Sequence, residues 1–206
     1  MKVIFLDMDG VLVRPSSQER HKHIKHDKEP DDLYKKLENE FGIDYSIYDK
    51  YDVGASYYDV DKYAVHELQR VIDETGAKIV VSSDWRTYRP KNMMKDLLTM
   101  HGLGEYVVDI VPHNGEDYEI DPNPFKSLIT SDSLEYLGRG LELLEYLKVH
   151  QDEVENYVII DDLDVSYDIP IFTDHLVLTR FKLTKECADK AIDILNKNFP
   201  DKLLPI

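Results

Sequence analysis

The chain has 206 residues, enough for one domain with a buried core, and 42% of them are hydrophobic against 32% charged. No apolar run is long enough to cross a bilayer, and a formal charge of −16 argues against constitutive binding of long nucleic acid, which needs a basic surface. The single cysteine, Cys187, excludes an internal disulfide and suits a reducing compartment, so a cytoplasmic location is expected.

Residues 3–6 form an apolar run that suits a strand buried on both faces, and the run stops at Asp7-Met8-Asp9-Gly10. The two acids interrupt the apolar N-terminus and no small-residue cleavage site follows, so the run reads as a strand and not a signal peptide. From 13 to about 58 the texture is polar. Within it, 14–28 gathers Arg14, Arg20, Lys22, Lys25, Lys28, His21, His23 and His26 against only Glu19 and Asp27. Leu33, Leu37 and Phe41 at helical spacing predict a helix over Asp31–Phe41, stopped by Gly42. Asp61 caps a stronger helix carrying Ala64, Leu68, Val71 and Ile72, with Gly76 beyond its end.

Lys78–Val81 reads as a second strand, closing on Ser82-Ser83-Asp84-Trp85-Arg86. A helix over 91–100 and a strand over 106–111 precede a long loop from 112 to 131. Leu141, Leu144 and Leu147 mark the next helix, 157–160 a strand ending in Asp161-Asp162, and 175–178 a fifth strand. Thr184 caps a final amphipathic helix through Leu195. Strands alternating with helices predict an α/β fold with a mostly parallel sheet of about five strands flanked by helices. The region 13–76 is expected to be a small helical, cap-like insert after the first strand. In open parallel sheets ligands bind outside the carboxyl ends of the strands. Three of the predicted strands end on that rim in Asp-Met-Asp, Ser-Ser-Asp and Asp-Asp. Two acids buried at a strand end are costly unless a cation or a reaction uses them, which makes Asp7 and Asp9 candidates for Mg²⁺ and phosphoryl-transfer chemistry.

Asp7-Met-Asp9-Gly10-Val11, Val80-Val81-Ser82-Ser83, Arg139-Gly-Leu-Glu and Ile159-Ile160-Asp161-Asp162, each behind its own strand or before its own helix, resemble the motifs of the haloacid dehalogenase (HAD) superfamily of phosphohydrolases. With Ser-Ser-Asp-Trp-Arg and His175-Leu-Val-Leu-Thr179, the set is most similar to the HAD domain of Swiss Army Knife RNA-repair proteins. The resemblance covers residue 2 to about 164 and implies a Rossmann-like HAD fold and a Mg²⁺-dependent phosphatase.

The roles it implies match the needs of phosphoryl transfer. Asp7 is the nucleophile that forms an aspartyl-phosphate. Asp9 protonates the leaving oxygen and then activates water. Mg²⁺ is held by Asp7, the Asp9 backbone carbonyl and Asp161, with Asp162 either a further ligand or an anchor for metal-bound water. Ser82, or Ser83 if the register slips by one, binds a phosphoryl oxygen. Arg139 supplies the fixed cation, with Lys126 and Lys148 as competitors. The expected substrate is a phosphomonoester, either a phosphorylated small molecule or a nucleic-acid end. Two other functions remain in play: a catalytically silent interaction protein with this fold, and phosphotransfer to an acceptor other than water.

Plainer readings apply to several features. The three histidines suit a solvated loop better than a zinc site, since no cysteine joins them. The basic run reads first as a solvated face and second as a grip on a multiply charged substrate. Trp85 reads as packing, Arg86 as a brace for the site, Cys187 as structural, and Tyr57-Tyr58 as packing or a cover over the site.

Overall fold

The run Lys2–Leu6 folds as β1, and its residues 3–6 are fully buried because both sides of the strand meet apolar layers. In the computed structural model, which describes residues 1–113, 119–130, 138–197 and 204, β1 is the middle strand of a parallel sheet. The other strands are β2 (Lys78–Val81), β3 (Val107–Ile110), β4 (Asn156–Asp161) and β5 (Leu176–Leu178). Among the described residues the order is β3-β2-β1-β4-β5, and every pairing is parallel. The fold is therefore the expected α/β, Rossmann-like architecture.

Strand alternation divides the core in two. Ile4 and Leu6 face one layer with Ile79, Val81, Val158 and Ile160, while Val3 and Phe5 face the other with Val80 and Ile159. The first layer is covered by α4 (Lys62–Thr75), α5 (Lys91–Thr99) and α7 (Lys185–Asn196); the second by α6 (Gly138–Val149) with Phe125 and Phe172. The helix limits follow local chemistry. Asp61 accepts the Tyr63 and Ala64 amides at 2.9 and 3.2 Å, and Thr184 accepts the Cys187 amide at 3.3 Å. Gly42 and Gly76 end their helices in the left-handed conformation.

Between β1 and β2 the chain forms α1 (Arg20–His23), α2 (Asp31–Phe41), α3 (Lys50–Gly54), a π-helical turn at Ala55–Asp59, and α4. Sequence periodicity shows α2 and α4 but not the shorter turns, which tertiary contacts hold. Tyr45 and Tyr48 donate to the Asp96 carbonyl and carboxylate at 2.8 and 2.6 Å, and Ser56 Oγ donates to the Leu97 carbonyl at 2.8 Å. These bonds dock the segment on α5. Ile24, Leu37, Tyr45 and Val53 join the same apolar cluster as α4 and α5. α4 itself lies against α7 on the face of the sheet. Of the loop expected over 112–131, residues 114–118 and 131 lie outside the described residues; Asn123–Phe125 is a 3₁₀ turn carrying the buried Phe125.

Candidate active site

The sheet order reverses beside β1: the chain winds from β1 through β2 to β3 on one side, then crosses to β4 and β5 on the other. The crevice at such a switch point, outside the carboxyl ends of the strands, is where α/β sheets place ligands. Here it lies between the tips of β1 and β4, which carry Asp7 and Asp161. The Asp7 amide donates to the Ile160 carbonyl at 3.0 Å, extending the pairing with β4 one residue past the end of β1.

Both carboxylates are buried, Asp7 at 3% exposure and Asp161 at 0%. Asp162 is exposed, and one carboxylate oxygen from each of the three lies within 4.8 Å of the others. Arg139 Nη1 bridges Asp7 Oδ1 at 3.1 Å and Asp161 Oδ2 at 2.9 Å, while Nη2 reaches Asp84 Oδ1 at 3.0 Å. Arg139 lies inside α6, not just before a helix as the sequence suggested. Lys148, one of its competitors, is engaged with Glu145 at 3.0 Å, and the other, Lys126, is exposed.

Burial, then the neighbouring Asp161 charge, push the Asp7 carboxyl up to about 7, against the pull of Arg139 and of hydrogen bonds from Ser83 and the Met8 backbone. Burial also raises Asp161, again opposed by Arg139. Burial disfavours the Arg139 charge, yet Asp161 and Asp7 together hold that guanidinium above its ordinary value. Three carboxyl groups facing one cation line the crevice with hard oxygen donors that a single guanidinium does not fully balance. That donor set fits Mg²⁺.

Ser82 and Ser83 are both fully buried but differently engaged. Ser83 hydrogen-bonds to Asp7 and caps the Asp84–Arg86 turn by accepting the Trp85 amide at 3.3 Å. Among the described residues, Ser82 Oγ has no hydrogen-bond partner, and neither does the buried Arg139 Nε. Buried polar atoms are normally satisfied, and these two belong to residues singled out as phosphate ligands. Arg86 is the brace the sequence suggested. It donates to the carbonyls of Ser82, Ser83 (2.7 Å) and Val111 (3.1 Å) and pairs with the buried Glu142.

Asp9 is exposed at the mouth of the crevice, and Trp85 Nε1 donates to its Oδ2 at 2.8 Å. Trp85 therefore reaches the site, where the sequence suggested packing alone. A cavity of about 180 Å³ lies over Asp9, lined by Trp85 and Arg89 from the rim and by Arg20, Tyr51, Asp52 and Ala55 from the segment after β1. Arg89 grips Asp52 through two bonds, 2.7 and 2.5 Å, tying the rim to α3. Within the basic run, Arg20 is bonded to the buried Asp59 and Arg14 pairs with Asp61 at 2.7 Å. No sequence pattern announces the Trp85–Asp9, Asp84–Arg139 and Arg89–Asp52 contacts. The available signal was the run Ser82–Arg86, set at the end of a strand on the ligand-binding rim.

A Rossmann-like parallel sheet whose first strand ends in Asp-x-Asp, opposite an acidic pair on the neighbouring strand, defines the HAD class of α/β proteins. The profile of the HAD domain in Swiss Army Knife RNA repair proteins matches residues 3–187. The chain belongs to that family, within a superfamily of phosphohydrolase type that generally uses Mg²⁺. No curated protein matches the sequence. Among the described residues, no helix is long and apolar enough to cross a membrane.

Proposed function

We propose that the protein is a Mg²⁺-dependent phosphatase that hydrolyses a phosphomonoester through an aspartyl-phosphate on Asp7. The observation that carries this reading is the convergence of buried Asp7 and Asp161 on one guanidinium, Arg139, at 3.1 and 2.9 Å, at the switch point of the sheet. Such a cluster is expensive to build, and phosphoryl transfer is a use for it.

In the forward step Asp7 attacks phosphorus and the bond to the leaving oxygen breaks. Asp9 gives that oxygen a proton, then takes one from the water that attacks the aspartyl-phosphate and releases inorganic phosphate. Ser82 and Arg139 hold the equatorial oxygens, a role that suits their Oγ and Nε atoms, which find no partner among the described residues. Ser83 is already committed to Asp7 and to the turn, which favours Ser82 as the phosphate ligand. Asp7, Asp161, Asp162 and the Asp9 carbonyl would hold Mg²⁺, which when bound offsets the repulsion between the Asp7 carboxylate and the phosphate dianion.

Within the expected insert 13–76, the part ahead of α4 acts as a cover that excludes water and selects substrate. The family's association with RNA repair favours a nucleotide or polynucleotide end as substrate, and the chain acts in the cytoplasm. The test is hydrolysis of a generic aryl phosphate. It should need Mg²⁺, stop in EDTA and fall to near background in Asp7→Asn. Undiminished turnover by Asp7→Asn would remove Asp7 as the nucleophile.

A further inference from the structure

Beside the candidate active site, the loop after β5 forms an open groove of about 590 Å³ lined by Arg14, Leu178, Arg180, Phe181, Lys182 and Cys187. Three backbone-anchored bonds fix this loop to the catalytic turn. Thr179 N donates to the Asp161 carbonyl, Thr179 Oγ1 to the Gly10 carbonyl, and Leu183 N to the Val11 carbonyl, each at 2.8 Å. The groove is thus held in register with Asp7, Asp9 and Asp161.

Its chemistry runs against the rest of the molecule. In a chain of charge −16, three cations line one groove. Arg14 and Lys182 share a single carboxylate, Asp61, at 2.7 and 3.0 Å. Among the described residues no ion pair or hydrogen bond engages the Arg180 side chain. Phe181 is 70% exposed and Leu178 45%. A large aromatic ring left in water costs free energy that burial would recover. An exposed ring flanked by unneutralised guanidinium is the composition that binds a flat aromatic group carrying negative charge.

We propose that this groove is a subsite for the nucleotide adjoining the reacting phosphate, with its base stacked on Phe181 and its phosphate held by Arg180 and Arg14. The inference rests on the reading of Asp7 as the phosphoryl-transfer centre, and it specifies the substrate as the phosphorylated end of a single strand. The acidity of the remaining surface limits the grip to the terminal nucleotides, which reconciles a nucleic-acid substrate with the overall charge.

The test uses the full chain and two probes, a small aryl phosphate and a single-stranded tetranucleotide bearing a terminal phosphate at its 5′ or 3′ end. Phe181→Ala and Arg180→Glu should each raise the tetranucleotide KM about tenfold or more relative to the aryl phosphate KM. Tyr167→Ala, which removes another exposed aromatic, should leave that ratio as in the wild type. Tetranucleotide binding to Asp7→Asn, measured by fluorescence anisotropy, should weaken to the same extent when Phe181→Ala is added, with the salt dependence of Kd reduced when Arg180→Glu is added. Absence of aryl phosphatase activity in the wild type would refute the function without touching this binding measurement. An unaltered tetranucleotide Kd and KM ratio in both groove variants would overturn the subsite while leaving the phosphatase intact. Anionic vesicles bound through Phe181, with no tetranucleotide bound, would overturn it too.

Discussion

The indole N–H of Trp85 donates to Asp9 Oδ2 at 2.8 Å, joining the turn after β1 to the turn after β2 across 76 residues of sequence. With Oδ2 so engaged, Oδ1 is the oxygen that, on the proposed mechanism, would pass a proton to the leaving group.

Trp85→Phe keeps an aromatic body but removes the donor. On the proposed mechanism kcat should fall about tenfold for an alkyl phosphate, roughly the worth of one hydrogen bond to a charged acceptor. The fall should be smaller for an aryl phosphate, whose oxide leaves without full protonation. Comparing kcat for the two substrates checks this. An equal loss on both would place the effect in packing and not in Asp9.

Gly10 has φ +74°, and a Cβ built there would overlap the Asp162 carboxylate and lie 2.6 Å from Asp162 Cβ. Gly10→Ala should therefore cost about 1–2 kcal/mol for the left-handed backbone alone and also displace Asp162. The expected result is a lower denaturation midpoint together with a higher Mg²⁺ concentration for half-maximal activity. Lost stability with an unaltered Mg²⁺ requirement would separate Asp162 from the ion.

How far the fold could be read in the sequence depended on whether its cause was local. The limits of Asp31–Phe41 and Lys78–Val81 were predicted as found, because their periodicity and the Gly42 stop are local signals. The same holds for the rim, since a parallel sheet buried on both faces leaves its polar strand ends at one edge. The predicted strands over 106–111 and 175–178 shorten to Val107–Ile110 and Leu176–Leu178, being edge strands with one neighbour each. The turns at Tyr45–Ile47 and Ala55–Asp59 carry no periodicity, the first having only its Asp44 cap as a local signal, because Asp96 and Leu97 on α5 hold them from outside. In the site, Asp7 and Asp161 were legible as acids behind strands. Which partner each would take was not, since Arg139 and Asp84 meet only once α6 is packed against the sheet.

Arg86 pairs with Glu142, and both side chains are almost fully buried. Arg86→Met would leave the buried Glu142 with His113, 3.2 Å from its Oε1, in place of a guanidinium, so the variant should destabilise the protein, by at most about 3–5 kcal/mol. Adding Glu142→Met should recover part of that loss by removing the charge, while the carbonyls of Ser82, Ser83 and Val111 still lack their donor. Urea denaturation of the single and double variants measures both quantities. A double variant no more stable than the single one would contradict the argument.

His101 seats the segment after β1 on the end of α5: its Nε2 donates to the Ser56 carbonyl at 2.9 Å. Burial holds His101 below the ordinary histidine value of 6.5, and burial does the same to His175, which stacks on Tyr157 with ring centroids 4.0 Å apart. Both stay neutral to lower pH in the folded chain than in the unfolded one, so on acidification the unfolded chain takes up their protons first. Their contribution to stability is complete above about pH 6.5 and drains away as the pH falls towards the lowered folded values. Asp7 acts in the opposite sense, since a carboxyl raised to about 7 withdraws stability as the pH climbs from its unfolded value of 3.8 towards 7. The histidine effect is therefore isolated by difference, in metal-free buffer. His101→Gln can still donate to Ser56 but cannot titrate. It should be less stable than the wild type at pH 8, and the deficit should narrow steadily below pH 6.5. A deficit constant from pH 8 to 5 would show that His101 does not titrate differently in the folded and unfolded chains.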